Sequence, residues 1–175
     1  WQPLGSALRP SLDYWRYLHP RYAASPKLKA RAASQAPGVA AVLARVAALG
    51  GRLGLGGLSR VARGIERTLP IAPEVLRFLD AERPDLVLVT PLLYFGSQQV
   101  EYVRGARRLG VRSALCVGSW DHLTTKGLIH EVPDRVVVWN DAQREELRTI
   151  HGIDSERVAV TGASAYDHWF ATTPS

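Results

Sequence analysis

Four short apolar runs recur at similar intervals in the second half of the chain. They are Asp85–Thr90, Arg112–Val117, Arg135–Trp139 and Arg157–Val160, and their starts are 22 to 27 residues apart. A nearly continuous apolar run such as Asp85–Thr90 predicts a strand that is covered on both faces. The spacing leaves room for a strand, a helix and two short loops, which is typical of βαβ units with parallel strands. Residues 84–163 are therefore predicted to form a Rossmann-like parallel α/β sheet.

Helix-capping residues lie between these runs. Ser97 is predicted to cap the helix that follows the first strand, and Gly110 to come just after its last turn. Asn140, with Gln143 three residues later, has the pattern of a capping box. The helix that it opens is predicted to end at Gly152. The predicted strands are thus joined by helices, as parallel strands require.

The first half of the chain is predicted to be helical, with proline and glycine interruptions. Apolar spacing predicts helices over Ser11–Ala24, which Pro20 should end or kink, and over Val39–Leu49. The five glycines of Gly50–Gly57 predict a loop. A short helix should then bury one face, and Pro73 should open a further helix through Leu79. The residues of that buried face are Leu58, Val61, Ala62, Ile65 and Leu69.

Segment boundaries follow from this change of pattern. Residues 1–83 are expected to be a helical, basic segment that belongs to the α/β domain or packs on it. Residues 164–175 are expected to begin the connection to a second domain. The sequence contains no Met, so we expect it to be part of a longer protein.

Charge separates the two halves. Residues 1–83 contain 13 Lys and Arg against 5 Asp and Glu, whereas residues 84–175 contain 9 against 11. Arginines of the first half are candidates to meet an anionic membrane surface or a lipid-pyrophosphate acceptor. Nucleic acid is not an expected partner because no recognised binding module surrounds them, and the remaining alternative is that they are solvated helix faces. These arginines are Arg9, Arg16, Arg21, Arg60, Arg63 and Arg67.

Composition favours a soluble globular protein, with 46% apolar and 22% charged residues. The single Cys116 lies in an apolar run and is predicted to be a buried, reduced side chain, which suits the cytosol. The longest apolar stretch, Pro37–Gly51, contains Arg45 and is shorter than the ~18 to 20 residues of a membrane span. We expect a cytoplasmic protein that is peripheral at the inner membrane face.

Candidate chemistry gathers at the carboxyl ends of the predicted strands, where open parallel sheets bind their ligands. The densest polar cluster is Ser119–Gly127. Asp121 and His122 are candidate catalytic bases, and burial would have to raise the pKa of Asp121 for that role. Lys126 is a candidate partner for a phosphate oxygen. The candidate substrate-binding residues are Thr90, Ser119, Trp120, Thr124, Thr125, Lys126, Asn140 and Gly162.

Structural roles are open alternatives for several of these residues. For Asp121 the alternative is the cap of a short helix, and for Trp120 it is a plug at the edge of the sheet. Asn140 is favoured as a helix cap over a ligand group. His151 and His168 are interpreted as ordinary helix-end and surface residues.

Several common site motifs are absent from the sequence. In Gly54-Leu55-Gly56-Gly57, Ser59 stands where a dinucleotide fingerprint has its third glycine, and no strand is predicted before it. The sequence has no Walker lysine motif and no Gly-x-Ser-x-Gly elbow. His and Cys do not occur at metal-ligand spacing, so no metal site is predicted.

Several stretches together resemble bacterial GT-B-type glycosyltransferase-like proteins of surface-carbohydrate (polysaccharide) synthesis. The pattern departs at one position, since His122 stands where Asn is expected after Ser-Trp-Asp. The stretches that carry the resemblance are Tyr17–Tyr22, Arg83–Pro91, Ser119–Gly127, Val138–Gln143 and Val158–Ala163.

The resemblance implies the acceptor-side, N-terminal domain of a two-domain GT-B enzyme. Its partners would be a carbohydrate or lipid-linked acceptor and an absent C-terminal domain, which would bind the nucleotide-sugar donor, so no cofactor is expected on this chain. The isolated chain is expected to be inactive. The same resemblance leaves open a UDP-sugar epimerase, a glycerophosphate transferase or a non-catalytic binding domain.

Overall fold

In the computed structural model, which describes the backbone of residues 1–171 and the side chains of residues 1–50 and 54–169, the chain divides into two units. One comprises Trp1–Glu74 with Tyr94–Ser97, and we call it the helical unit. The other comprises Val75–Leu93 and the residues from Gln98 onward, and we call it the sheet unit. Within the described residues, every helix is too short or too polar to cross a membrane.

The helical unit is organised around its first helix. Leu12 and Trp15 on that helix are buried, and the Trp15 indole N–H donates to the backbone oxygen of Ala40 at 2.9 Å. The first helix packs against each of the other three. The helices are α1 (Gln2–Arg16), α2 (Pro26–Gln35), α3 (Gly38–Ala48) and α4 (Gly51–Thr68), with a 3-10 turn at Pro20–Tyr22.

The first predicted helix has different limits in the structure. α1 begins at Gln2 and continues through Pro10, whereas the prediction began at Ser11. It ends at Arg16, before Pro20, which opens the 3-10 turn instead of kinking a longer helix. Proline suits the first position of a helical turn because its missing N–H would have no partner there.

The prediction of a loop at Gly50–Gly57 is wrong, because α4 already begins at Gly51. Close packing explains one of these glycines, Gly54. A Cβ atom at Gly54 would lie 2.1 Å from the backbone oxygen of Ala47, near the end of α3. Glycine therefore lets α4 start directly against the end of α3, a use of glycine that composition alone does not reveal.

The predicted buried face of α4 is only partly correct. Ala62 and Leu69 are buried, whereas Val61 and Ile65 are exposed. The buried face is completed by Glu66, whose carboxylate accepts a hydrogen bond from Arg9 Nε on α1 at 2.8 Å. These two side chains are 3% and 8% exposed, so a buried ion pair occupies a position that an apolar pattern does not predict.

The sheet unit contains the four predicted strands, and all neighbouring pairs are parallel. They are β1 (Leu86–Val89), β2 (Arg112–Cys116), β3 (Arg135–Val138) and β4 (Val158–Val160), in the order β1-β2-β3-β4. The prediction of a parallel α/β sheet is therefore confirmed. The helices of this part of the chain are α5 (Pro73–Glu82), α6 (Gln99–Arg108), α7 (His122–Thr125), α8 (Asp141–Glu146) with a π-helical turn at Leu147–His151, and α9 (Asp167–Ala171).

The capping predictions around α6 have two outcomes. Gly110 has a φ of +73° just after the helix, as predicted for a residue in the left-handed region. The prediction that Ser97 caps the helix is wrong, since Gln98 holds the cap position without a side-chain hydrogen bond. The backbone N–H of Ser97 donates instead to Tyr94 at 3.0 Å.

The sheet is covered unevenly, which corrects the prediction that the first strand is buried on both faces. Val87 and Val89 are buried, and α6 packs on β1 and β2. Leu86 and Leu88, on the opposite face of β1, are 47% and 62% exposed. In the order β1-β2-β3-β4, each strand is added on the same side of the previous strand. Right-handed crossovers therefore place the connecting helices on one face of the sheet. Cys116, predicted to be buried, is only half-buried.

Candidate functional site

The candidate residues follow the carboxyl ends of the parallel strands, as predicted. The register places Val89 opposite Leu115, and Val138 opposite Val160, so the four strands end at one edge of the sheet. In doubly wound folds, a ligand crevice forms where the strand order changes direction. The four described strands follow one another in a single direction, so they do not form such a crevice. Any ligand at this edge would therefore be held mainly by the loops.

Asp121 is the centre of the most connected polar group at this edge. Its Oδ1 accepts a hydrogen bond from the Ser119 hydroxyl at 2.7 Å, and its Oδ2 lies 2.9 Å from the Thr125 hydroxyl. Lys126 Nζ lies 3.9 Å from the same Oδ2. The side chain of Asp121 makes no capping hydrogen bond to α7, although the residue precedes that helix. Its side chain is thus held by hydroxyl groups and does not act as a helix cap.

This environment keeps Asp121 ionised. The hydrogen bond from Ser119 is the main cause that lowers its pKa, and the Thr125 hydroxyl and the Lys126 charge act in the same direction, against a smaller effect of burial. A role as a catalytic base would require burial to raise the pKa of Asp121. The pKa is lowered instead, so this requirement is not met. A carboxylate with a lowered pKa is a weak base but a good hydrogen-bond acceptor at neutral pH.

Two hydroxyls of α7 also bind the backbone of Asp121. The hydroxyls of Thr124 and Thr125 lie 3.1 and 3.0 Å from the backbone oxygen of Asp121. The candidate residues Ser119, Asp121, Thr124, Thr125 and Lys126 are therefore in one cluster, which we call the Asp121 cluster. Inside it, both threonine hydroxyls bind the protein itself.

His122 lies on the inner side of the same loop and is 8% exposed. Burial is the main cause that lowers its pKa, partly offset by the nearby Asp121 carboxylate, so the ring is neutral at neutral pH. A Cβ atom at Gly118 would lie 3.3 Å from Thr90 Oγ1 and 3.7 Å from His122 Cε1. Thr90 and His122 therefore both approach Gly118, and a side chain there would be tight against the Thr90 hydroxyl.

Gln143 ties two of the strand ends together, a role that sequence reasoning did not assign to it. Asn140 Oδ1 accepts from the Gln143 backbone N–H at 2.9 Å, which confirms the predicted cap. The Gln143 side chain accepts from the Trp139 N–H at 2.8 Å and donates to the Ser119 backbone oxygen at 3.0 Å. Because this side chain is buried, it fixes the loop after β2 to the end of β3. The capping-box pattern identifies the residue but not its second partner.

Four candidate residues are exposed: Thr90, Trp120, Asn140 and Gly162. The Trp120 side chain is 72% exposed, so it does not plug the edge of the sheet. Gly162, after β4, is exposed and has a φ of +83°. Since β4 pairs with β3 and not with β2, Gly162 lies further along the edge than Asn140 and is not part of the Asp121 cluster.

His151 is a second residue whose role was missed. Its Nε2 lies 2.9 Å from the Leu123 backbone oxygen, and its Nδ1 accepts from the Ile129 N–H at 3.4 Å. A carbonyl oxygen only accepts, so Nε2 carries the proton in this arrangement. The ring joins the end of the α8 segment to α7, and it is structural rather than an ordinary helix-end residue.

Neither a metal site among the described residues nor a related protein adds to the description of this site. Among the described residues, no group of His, Cys, Asp and Glu is arranged to hold a metal ion. Comparisons with protein-family models, with curated proteins and with solved structures give no match for this chain.

Proposed function

We propose that the sheet edge at Ser119–Lys126 binds the sugar of a carbohydrate or lipid-linked acceptor, as the acceptor-side domain of a GT-B-like glycosyltransferase. One observation carries the proposal: an indole that is 72% exposed directly precedes a carboxylate that is held ionised by two hydroxyls. The resemblance of the Ser119–Gly127 stretch to such enzymes supports the same choice.

The chemistry of this pair suits a sugar. A sugar ring has one face of C–H groups, which packs on an aromatic ring, and a rim of hydroxyls, which donate to a carboxylate. Each carboxylate oxygen has two lone pairs, so the oxygens of Asp121 can accept a further hydrogen bond beside those from Ser119 and Thr125. In this proposal Asp121 orients the acceptor hydroxyl by accepting its hydrogen bond.

The other residues of the edge have supporting roles in this proposal. Ser119 and Thr125 hold the carboxylate, and Lys126 adds positive charge where an acceptor phosphate would approach. The nucleotide-sugar donor would bind a second domain, as in other enzymes of this architecture. The chain alone is therefore expected to bind the acceptor without transferring sugar.

The test is a calorimetric titration of the chain with a panel of short oligosaccharides and with lipid-linked oligosaccharides in detergent micelles. At least one member is expected to bind, and nucleotide sugars are expected to bind weakly or not at all. Trp120→Ala should weaken acceptor binding by about 3- to 10-fold through loss of the aromatic contact. Asp121→Asn should weaken it by about tenfold or more, because a hydrogen bond to a charged acceptor is lost.

The matched control is Trp169→Ala, since Trp169 on α9 is equally exposed, at 70%. This variant should bind as the unmodified chain does. The proposal is overturned if no oligosaccharide binds, or if Trp169→Ala weakens binding as much as Trp120→Ala does. Sugar transfer by the isolated chain would contradict the requirement for a second domain.

A further inference from the structure

The outward face of α3 carries a row of large aliphatic side chains. They are 41% to 90% exposed, while Ala40 and Ala44 on the inward face are buried. Spacings of three and four residues place the aliphatic side chains on one side of the helix. Such a row normally packs inside a protein, so its exposure indicates a contact outside this chain. The row, which we call the α3 stripe, comprises Val39, Val42, Leu43, Val46 and Leu49.

The helical unit that carries this stripe has a strong excess of positive charge. Residues 1–74 contain 11 Lys and Arg and three acidic residues. Asp13 and Glu66 are buried, which leaves Glu74 as the exposed carboxylate among the described residues of this segment. Arg45 is exposed and lies three residues after Val42, at the border of the stripe. The other exposed cations of the unit are Arg21, Lys27, Lys29, Arg31, Arg60, Arg63 and Arg67.

We propose that α3 lies in the interface of an anionic lipid bilayer, with the α3 stripe among the lipid headgroups and upper acyl chains. Helices that bind in this way combine one apolar face with cationic flanks. Each Lys or Arg near the surface adds attraction to anionic lipids. The inference uses no residue of the sheet unit and is independent of the carbohydrate proposal.

The exposed arginines differ from those that the sequence suggested. Arg9 is buried in its ion pair with Glu66. Arg16 is half-buried, with its guanidinium over the rings of Tyr17 and Tyr22. Neither of these two is placed for a lipid contact, whereas Arg45, which the sequence did not single out, borders the stripe.

Two other occupants fit the same surface less well. Nucleic acid would satisfy the cations, but proteins that bind single strands use aromatic side chains to stack bases, and the α3 stripe is entirely aliphatic. A second copy of the chain would bring the same excess of positive charge, so two helical units would repel one another. An anionic bilayer satisfies both the aliphatic row and the positive charge.

The test is co-sedimentation of the full chain with vesicles of phosphatidylcholine alone or with about 30% phosphatidylglycerol. The chain is expected to partition at least tenfold more strongly onto the anionic vesicles, and less strongly in about 0.5 M than in about 0.1 M salt. Val42→Ser/Val46→Ser should lower the partition coefficient about tenfold or more by removing apolar contact. Arg45→Gln should lower it about fivefold.

Matched controls come from the sheet unit. Leu88→Ser removes an aliphatic side chain that is as exposed as Val46, both at 62%, and Arg108→Gln removes an exposed arginine. Both should leave the partition coefficient unchanged. A measurement on the unmodified chain does not depend on whether the variants fold. In that chain the α3 amides should gain protection from hydrogen exchange when anionic vesicles are added.

Three results would each overturn the inference. The first is an unchanged partition coefficient for the folded Val42→Ser/Val46→Ser variant, or no added protection of α3. The second is self-association without vesicles that the same variant abolishes, which would assign the stripe to a second copy. The third is tighter binding to duplex DNA than to anionic vesicles.

Discussion

Two carboxylates, one in the helical unit and one in the sheet unit, lie in opposite environments. In the helical unit, Glu66 is 3% exposed and paired with the buried Arg9 at 2.8 Å. In the sheet unit, Asp121 is 25% exposed and is held by two hydroxyls and a lysine. A carboxylate that is buried in an ion pair determines how helices pack and is out of reach of a ligand. A partly exposed carboxylate held from one side keeps lone pairs for a ligand.

The apolar side chains of the two units differ in a similar way. In the sheet unit, large aliphatic residues such as Leu115 and Val136 are fully buried. In the helical unit, Ala40 and Ala44 of α3 face inward while Val42 and Val46 face outward. Small residues allow helices to approach closely, and the large aliphatic residues are then left for the surface. The interior of the helical unit thus combines small residues of α3 and the Arg9–Glu66 ion pair with large side chains such as Leu12 and Trp15.

The largest predicted effect is on the buried ion pair. Glu66→Ala leaves the Arg9 guanidinium buried without its carboxylate, so the helical unit should lose about 3–5 kcal/mol of stability. The measurement is the free energy of opening of α1, from hydrogen exchange of its amides. Replacing both partners, in Arg9→Met/Glu66→Leu, should restore part of the loss, because neither charge of this pair then remains buried. A change below about 1 kcal/mol in Glu66→Ala would show that the pair does not stabilise the unit.

A smaller effect is expected where α3 meets α4. Gly54→Ala places a Cβ atom 2.1 Å from the backbone oxygen of Ala47, so the helices must move apart at a cost of about 1–3 kcal/mol. The control is Gly56→Ala, where the added Cβ meets no atom within 4 Å. That substitution should stabilise α4 by about 0.5–1 kcal/mol, because alanine has the higher helix propensity. Chemical denaturation followed by circular dichroism compares them. Equal effects of the two substitutions would indicate that close packing at Gly54 is unimportant.

The contrast between the two units also explains how much of the structure could be predicted from the sequence. In the sheet unit, apolar runs predict all four strands, because each strand is a short run of apolar residues and this is a local signal. Gly110 and Asn140 were also predicted correctly, since capping depends on residues within one turn. The exposed Leu86 and Leu88 were not predicted, because their burial depends on which helices cover the sheet and not on the strand itself.

The helical unit was harder to predict for a physical reason. A glycine-rich stretch indicates a loop when local propensity decides, but Gly54 is required by the position of Ala47 in another helix. The apolar spacing of α4 did not predict that Glu66 would be buried, because its partner Arg9 is 57 residues away in the chain. In the candidate site, neighbouring residues such as Ser119 and Asp121 could be grouped from the sequence. The link from Gln143 to Ser119 spans 24 residues and could not.

The smallest predicted effect separates a role in stability from a role at the binding edge. The folded-state pKa of Asp121 is lowered, so its contribution to stability is present above the ordinary carboxyl pKa and is lost as the pH falls below it. Asp121→Asn should therefore flatten the acid limb of the stability curve below about pH 4 and change little at pH 7. Thermal unfolding between about pH 2 and pH 7 measures this. A large loss of stability at pH 7 would instead assign Asp121 to the structure.

Asp134 provides the matched comparison, because its pKa is also lowered, mainly by the hydrogen bond from the Ser113 backbone N–H. It precedes β3 and so lies at the edge of the sheet opposite to Asp121. Asp134→Asn should flatten the acid limb in the same direction but leave oligosaccharide binding intact. If both variants lose binding equally, the loss comes from the stability of the sheet unit. If only Asp121→Asn loses binding, the carboxylate acts on the ligand itself, and its stabilising contribution is incidental to that role.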